Sequence, residues 1–152
     1  MESTKAVQRI EPVRKSVTVN TPVAHAFEVF TERVGEWWPM SHSVHEELAE
    51  RAGLEPRFGG EIYEVWRDGC EPWGTIVAWE PPHRLVYSWH PGHDVAEATE
   101  VEVRFTAQDG STLVALEHRG WEARGARAAE VRARYDEGWN PVLERYVDAA
   151  AL

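Results

Sequence analysis

The sequence predicts an α+β domain in which a curved antiparallel sheet of about six or seven strands wraps a long C-terminal helix, around an apolar pocket. Three observations support this prediction. Segments that alternate apolar and polar residues follow one another along the chain, separated by short turns, as in an antiparallel meander. One long amphipathic helix follows the last of these segments. The eight tryptophans are more large rings than a core of 152 residues needs.

The first predicted elements are a strand and a short helix. In residues 13–20, mostly valine side chains alternate with polar ones, which is the period-two pattern of a half-buried strand. Thr21 and Pro22 then offer an N-cap and a first-turn proline. Apolar residues recur every three or four positions from residue 23 to residue 34, which predicts an amphipathic helix that ends at Gly35.

Five further strands are predicted in the middle of the chain. They cover residues 61–67, 74–80, 84–90, 99–107 and 111–119. Asp-Gly and proline-rich turns separate them, which favours antiparallel neighbours. In the last strand Val114, Leu116 and His118 share one face, so His118 is expected on an apolar surface.

The last predicted element is a long helix over residues 124–151. Its apolar side chains form one stripe, which consists of Val131, Tyr135, Trp139, Val142 and Tyr146. Pro141 lacks a backbone donor and clashes with the preceding turn. We therefore expect a kink near Gly138, or a restart of the helix with Asn140 as its cap.

The composition narrows the range of functions. The 26 acidic and 16 basic residues give a net charge of -10, which repels nucleic acid and anionic membrane surfaces, so neither is expected as a partner. Cys70 is the single cysteine, and no signal peptide or membrane span is visible, which predicts a cytoplasmic protein. Residues 1–11 are expected to form a flexible leader and residues 12–152 a single domain.

Six local motifs follow one another along the chain, namely TPVAHAF (21–27), WW (37–38), EPRFGG (55–60), WGTIVAWEPPHRLV (73–86), LEHRGW (116–121) and GWNPVL (138–143). They resemble those of the helix-grip superfamily, also called START-like or SRPBCC, and within it the Hsp90 ATPase activator homologue-like (AHSA) family. The resemblance covers residues 13–146 and describes the fold more closely than the function. It implies a pocket between sheet and helix, in a family that includes hydrophobic-ligand carriers, polyketide aromatase/cyclases and domains that stimulate a chaperone ATPase.

Residues 43–55 have two interpretations. Helix propensity weakly favours a short helix capped by Ser43 and ended by Gly53. The resemblance instead implies a strand around residues 54–57 that leads into Gly59-Gly60. We expect the strand, because the topology of the sheet outweighs a weak local propensity.

The aromatic side chains are the strongest candidates for a ligand site. We expect the pocket to be lined by Trp38, Trp66, Tyr87, Trp89, Phe105, Leu116, His118, Tyr135, Trp139 and Leu143. His118 is expected to hydrogen-bond the ligand while Trp139 stacks on it. Core packing is the competing interpretation for any single ring, and only the number of rings favours a site.

No metal ion or other cofactor is expected. The pairs His42/His45 and His90/His93 have a spacing that can hold zinc, but both lie in polar, loop-like segments without a third ligand. Glu61, Glu64, His118 and Tyr135 form a possible acid/base set. The competing and favoured interpretation is that the carboxylates face solvent and that His118 is a hydrogen-bonded core residue.

Three functions are compatible with these features. Binding of a small apolar or aromatic ligand is the leading hypothesis, because it explains the aromatic excess. The first alternative is an interaction domain that regulates a chaperone ATPase or another protein partner, which would need an exposed apolar patch. The second is a cyclase- or dehydratase-like enzyme, which would need polar groups that converge in the pocket. The sequence has no nucleophile motif, which argues against nucleophilic catalysis, and it assigns no catalytic residue.

Overall fold

Seven strands and two α-helices make up residues 10–151, the part of the chain that the computed structural model describes. The strands are β1 (Val13–Val19), β2 (Ala49–Leu54), β3 (Glu61–Trp66), β4 (Gly69–Glu80), β5 (Arg84–Trp89), β6 (Thr99–Gln108) and β7 (Ser111–Arg119). The helices are α1 (Val23–Phe30) and α2 (Ala128–Ala150). Short 3-10 turns cover residues 34–36, 40–42, 46–48, 95–97 and 121–127. Neither α-helix combines the length and the apolar character that crossing a bilayer requires.

The strands form one curled antiparallel sheet in the order β1-β7-β6-β5-β4-β3-β2. From β2 to β7 each strand pairs with the next in sequence, whereas β1 pairs with β7, where Val13 lies opposite His118 and Val19 opposite Thr112. β1 and β2 therefore lie at opposite edges of the sheet. The chain between them, residues 20–48, includes α1 and crosses from one edge to the other. The predicted α+β helix-grip fold is confirmed.

The core lies between the sheet and the two helices. In β7, burial alternates strictly, and the buried side chains are Thr112, Val114, Leu116 and His118. α2 buries one stripe against them, which contains Val131, Trp139, Val142, Leu143 and Tyr146. The alternation in β7 and the apolar stripe of α2 are the patterns from which this strand and this helix were predicted. His118 therefore faces α2, as expected.

The opposite face of the sheet carries a compact charge network. Glu102 on β6 accepts hydrogen bonds from Arg84 on β5 at 2.7 Å and from Arg119 on β7 at 2.6 Å, and Arg104 lies 2.8 Å away. Partial burial acts to raise the pKa of Glu102, but these guanidinium groups outweigh it and hold that pKa at about 2. These ion pairs join the three neighbouring strands β5, β6 and β7.

Within residues 43–55, residues 49–54 form a strand rather than the helix that propensity favours. β2 covers Ala49–Leu54, so it begins and ends earlier than the strand expected around residues 54–57. Its backbone pairs with β3, where Ala52 lies opposite Glu64 and Leu54 opposite Ile62. Pairing along a sheet edge outweighs a local preference worth only tenths of a kcal/mol per residue.

The C-terminal helix differs from the prediction in where it begins and in its continuity at Pro141. It begins at Ala128, because Gly125 takes the non-helical values φ 60° and ψ -132° within the preceding 3-10 turn. The restart at Asn140 is wrong, since α2 continues through Pro141. Pro141 has no N–H to donate to the carbonyl of Glu137. Both residues are exposed, so water can donate to that carbonyl instead.

The predicted leader, residues 1–11, lies mostly outside the described part of the chain. Its last two residues contact the C-terminal region. The backbone N–H of Ile10 donates to Glu122, and Arg132 on α2 donates to the carbonyl of Glu11 at 2.6 Å. The chain is therefore attached to α2 immediately before β1 begins.

Candidate functional site

A cavity of about 280 Å³ lies beside α2, where the helix faces the end of β5. It is lined by Trp38, His42, Trp89, Pro91, Arg134, Tyr135, Gly138, Trp139 and Val142. The three tryptophans and Val142 are buried and form its inner wall, whereas His42 and Arg134 are exposed and mark its mouth. The site is thus an aromatic recess with polar groups at its opening, which is the usual composition of a small-molecule pocket.

The three tryptophan rings of the inner wall pack against one another. The ring centroid of Trp38 lies 5.6 Å from that of Trp89 and 6.1 Å from that of Trp139, and Trp38 and Trp139 are almost perpendicular at 88°. Trp73 supports Trp38 from behind, with 5.3 Å between the centroids. Edge-to-face pairs of this kind contribute about 0.5–1.5 kcal/mol beyond their buried area. The aromatic wall is therefore held in place by contacts within the protein.

A chain of hydrogen bonds beneath the wall orients Trp139. The indole N–H of Trp139 donates to Nδ1 of His118 at 3.0 Å, so the proton of the neutral imidazole is on Nε2. Nε2 then donates to the hydroxyl of Thr99 at 2.7 Å, and this hydroxyl donates to the carbonyl of Trp89 at 3.2 Å. Burial, with a smaller contribution from the charge of Arg124, lowers the pKa of His118 to about 3. The imidazole is neutral, and both of its nitrogens are bonded within the protein.

This buried imidazole predicts a pH dependence of folding. Because its folded-state pKa of about 3 lies below the 6.5 of an unfolded histidine, the unfolded chain binds more protons between these values. Stability contributed by His118 is full above pH 6.5 and is lost as the pH falls toward 3. We expect this group to lower the free energy of unfolding by about 2 kcal/mol between pH 7.5 and pH 5.

Urea unfolding of His118→Gln at both pH values measures this effect. The variant is less stable than the wild type at pH 7.5, but its loss between pH 7.5 and pH 5 is smaller by about 2 kcal/mol. His83→Gln is the matched control, because His83 is exposed. Equal pH dependence in His118→Gln and the wild type would show that the imidazole does not titrate as a buried group.

Two residues that line the cavity each carry a hydrogen-bond donor that the protein does not use. The indole N–H of Trp38 is buried and has no acceptor among residues 10–151. The hydroxyl oxygen of Tyr135 accepts the indole N–H of Trp89 at 3.1 Å, and no acceptor for the hydroxyl hydrogen is found in the same range. The indole of Trp89 is thereby satisfied, while Tyr135 retains a donor.

Glu64 anchors the segment that borders the mouth of the cavity. Its carboxylate is fully buried on β3 and accepts the backbone N–H groups of Val44 at 2.7 Å and His45 at 2.8 Å. It also accepts the indole N–H of Trp73 at 3.0 Å. Three donors therefore converge on one carboxylate, and they hold residues 40–48 beside the aromatic wall. Carboxylates were expected to face solvent, and for Glu64 this expectation is wrong.

Four of the ten residues predicted to bind a ligand line the cavity, namely Trp38, Trp89, Tyr135 and Trp139. Five others are buried in the core without lining it, namely Tyr87, Phe105, Leu116, His118 and Leu143. Trp66 lies elsewhere, where its ring stacks on His45 with 3.7 Å between the centroids.

Sequence reasoning did not include five lining residues, which are His42, Pro91, Arg134, Gly138 and Val142. Gly138 lies three residues after Tyr135, and Val142 lies four residues after Gly138, which is the spacing of one helix face. The sequence of α2 therefore indicated that these residues share a face with Tyr135. His42 and Pro91 come from loops, where no periodicity indicates what a side chain faces.

The histidine pairs with zinc-like spacing take part in local contacts instead. Nε2 of His45 lies 3.1 Å from a carboxylate oxygen of Glu71, and Nδ1 of His93 lies 3.2 Å from Glu97. Within residues 10–151, no three or more His, Cys, Asp and Glu side chains are grouped as metal ligands would be.

Comparisons with known proteins agree with this architecture. The chain is 35% identical to a protein solved as "an anthrahydroquino-Gama-pyrone synthase Txn09 complexed with SUM", with a TM-score of 0.64 over 93% of this chain and 97% of that one. It is 28% identical to the self-sacrificing resistance protein CalC from Micromonospora echinospora, with a TM-score of 0.65 over 92% and 94% of the two chains.

The protein BH1534 from Bacillus halodurans, at 21% identity and a TM-score of 0.64 over 93% and 98% of the two chains, shares the fold. None of the curated proteins is similar enough to be matched to the chain. A model of the family described as activator of Hsp90 ATPase homolog 1-like protein matches residues 20–150. The chain therefore belongs to that family, as its sequence motifs predicted.

Proposed function

We propose that the protein binds a small aromatic or apolar molecule in the cavity beside α2. The observation that supports this most directly is the wall of three buried tryptophans around about 280 Å³ of space. Rings that are tilted or perpendicular to one another offer a flat ligand both faces and edges to contact. Burial of apolar ligand surface there contributes about 25 cal/mol per Å² without reorganisation of the wall.

The named relatives support an aromatic ligand class. Txn09, at 35% identity over almost the whole of both chains, is described as a synthase of an anthrahydroquino-γ-pyrone. A fused-ring compound of that kind suits an indole-lined recess. A ring-forming reaction on the bound molecule is the second candidate function, because Txn09 is described as a synthase. An enzyme would convert the bound molecule, whereas a binding protein would release it unchanged.

An interaction domain finds less support in the surface. Between residues 10 and 151 the exposed large apolar side chains are Leu48, Phe58, Val77 and Val95, which come from four separate segments. Single exposed apolar residues are ordinary on monomeric proteins, and docking sites generally need a continuous patch. The cavity is a more specific feature than this surface.

Filling the cavity from α2 tests the proposal. A Cβ atom at Gly138 would meet no other atom within 4 Å, and Gly138 lines the cavity, so Gly138→Leu places a side chain in the recess. We expect at least about tenfold weaker binding of 2-naphthol, measured by calorimetry. The melting temperature should stay the same or rise, because leucine is a better helix former than glycine by about 0.8 kcal/mol.

Ala133→Leu is the matched control, because Ala133 is exposed on the same helix. This variant should bind 2-naphthol as the wild type does. Undiminished binding by Gly138→Leu would place the ligand elsewhere, and absence of binding by the wild type at millimolar 2-naphthol would contradict the proposed function.

A further inference from the structure

We infer that residues 40–48 form a lid at the mouth of the cavity, which opens to admit the ligand and is held closed by Glu64 and His45. This inference rests on the proposed function, because it states how the ligand of that site enters and leaves. It follows from the way this segment is attached to the sheet, and from the contacts that connect its attachment to the aromatic wall.

The inner wall of the cavity is almost closed to solvent. Trp38, Trp89 and Trp139 line it, and their exposed fractions are only 8%, 3% and 2%. A flat molecule that packs against these rings therefore has to displace part of the border first. Because α2 is fixed by its buried stripe, the parts of the border that can move are the lid, which contributes His42, and the loop that begins after β5, which contributes Pro91.

The lid is attached to the rest of the protein by few contacts. None of its side chains is fully buried, whereas residues 37–39 immediately before it are. Met40 and Val44 pack against the core with side chains that are only partly buried. The hydrogen bonds that close its two 3-10 turns lie within the segment or lead to Pro39. A segment with so few buried apolar contacts can open locally while the core stays folded.

Three polar contacts and one ring stack attach the middle of the lid to the sheet. The backbone N–H groups of Val44 and His45 donate to the carboxylate of Glu64 on β3, at 2.7 and 2.8 Å. Nε2 of His45 lies 3.1 Å from Glu71 on β4, and its ring stacks on Trp66 at 3.7 Å and 8°. We call these contacts the latch. They belong to two adjacent lid residues, so their release would free the segment as a unit.

The residue that follows the latch is strained. Glu46 has a φ of 48°, in the left-handed region that residues other than glycine rarely adopt. Such a conformation persists only where the surrounding contacts impose it. The latch contacts of Val44 and His45 immediately precede Glu46, and release of the latch would relieve the strain. The strain therefore favours the open lid, and the latch opposes it.

The latch shares an atom with the support of the aromatic wall. Oε1 of Glu64 accepts both the backbone N–H of Val44 at 2.7 Å and the indole N–H of Trp73 at 3.0 Å. Trp73 in turn packs against Trp38, with 5.3 Å between the ring centroids. A ligand that steadies Trp38 thus also steadies Trp73 and the acceptor on which the lid closes. Occupancy of the cavity should therefore favour the closed lid.

The loop between β5 and β6, residues 90–98, is the competing gate. Residues 92–97 are exposed, and a Cβ atom at Gly92 would lie 3.9 Å from Val44 of the lid. In the part of the chain from residue 10 to residue 151, the polar contacts of this loop with other elements include the bond from Arg124 to the carbonyl of Glu97, but none with Glu64. We assign the gate to the lid because its latch is connected to the wall.

The kinetics of 2-naphthol binding test the lid. Stopped-flow mixing is followed by naphthol fluorescence, excited beyond the tryptophan absorption band. His45→Ala removes the contacts with Trp66 and Glu71 but keeps both backbone bonds to Glu64. These contacts hold the lid closed with and without ligand. We therefore expect the association and dissociation rate constants both to rise about threefold or more, while Kd changes by less than about twofold.

His93→Ala is the matched control. His93 also pairs with a glutamate, since its Nδ1 lies 3.2 Å from Glu97, but this pair belongs to the loop between β5 and β6. The rate constants of this variant should equal those of the wild type. Thermal unfolding of both variants establishes that each is folded at the temperature of the measurement.

Hydrogen exchange in the wild type tests the lid without any substitution. The amides of Val44 and His45 should exchange through local opening, at rates that low urea concentrations do not change. The amides of β7, which is paired on both sides, should exchange only through global unfolding. Saturating 2-naphthol should slow exchange at Val44 and His45 by about threefold or more, because the bound ligand favours the closed lid.

The outcomes separate the lid from the binding site. Unchanged rate constants in His45→Ala, or a larger increase in His93→Ala than in His45→Ala, would overturn the lid and leave the cavity as the binding site. Exchange of the Val44 and His45 amides only through global unfolding would do the same. Absence of 2-naphthol binding by the wild type would remove the proposed function, and this inference with it.

Discussion

Glu64→Ala is expected to lower the free energy of unfolding by about 4 kcal/mol. The carboxylate is fully buried and accepts three hydrogen bonds, from the backbone N–H groups of Val44 and His45 and from the indole of Trp73. Alanine would leave all three donors without this partner, the indole of Trp73 in a buried position and the two amides in half-buried ones, and each buried donor left unpaired costs about 1–3 kcal/mol. Chemical denaturation of the variant measures the loss.

Hydrogen exchange gives the same prediction a local signature. The amide protons of Val44 and His45 should exchange much faster in Glu64→Ala, because their acceptor is gone. Glu64→Gln retains one accepting oxygen and should lose less stability. Glu61→Ala is the matched control, since Glu61 is exposed on the same strand. If Glu64→Ala were as stable as Glu61→Ala, the carboxylate would not be the anchor of this segment.

Trp139→Ala is expected to cost about 3–5 kcal/mol of stability, although its ring borders the cavity. The side chain is only 2% exposed, contacts the rings of Trp38 and Trp89, and donates to His118. Alanine would merge the space of the ring with the cavity and leave Nδ1 of His118 without its donor. Thermal and urea unfolding measure the effect.

A double-mutant cycle isolates the hydrogen bond from the packing. Trp139→Phe keeps a ring but leaves the His118 acceptor unpaired, and His118→Leu leaves the Trp139 donor unpaired. Combining the two should cost less than the sum of the single changes, by about 1 kcal/mol or more, because unlike either single change it leaves neither partner of this bond unpaired. Strict additivity would mean that the bond does not contribute.

Much of the architecture was readable from periodicity. Alternation in β7 placed His118 beside Leu116 on the inner face, and the apolar stripe of α2 placed Trp139 against the sheet. The burial of Glu64 followed the same rule, because Glu64 is two residues from the buried Ile62 on β3. The general preference of carboxylates for solvent obscured that signal.

The hydrogen-bonding state of the site was not readable in this way. His118 was expected to bond a ligand, yet its partners Thr99 and Trp139 lie 19 and 21 residues away and occupy both ring nitrogens. Which donors remain unpaired depends on such tertiary contacts. The cavity is therefore lined by the hydroxyl-bearing Tyr135 and not by His118, which no sequence pattern indicates.

The position of β1 bears on how the protein assembles during synthesis. β1 has its one partner strand in β7, about a hundred residues later in the chain, with Val13 opposite His118. During synthesis on the ribosome, β1 has no partner strand until β7 has been made, whereas β2 to β6 can pair one after another as hairpins. Until then both edges of β1 are unpaired. α2 follows β7 in the chain and supplies the last wall of the cavity, so the cavity is complete only after α2 has been made and has packed.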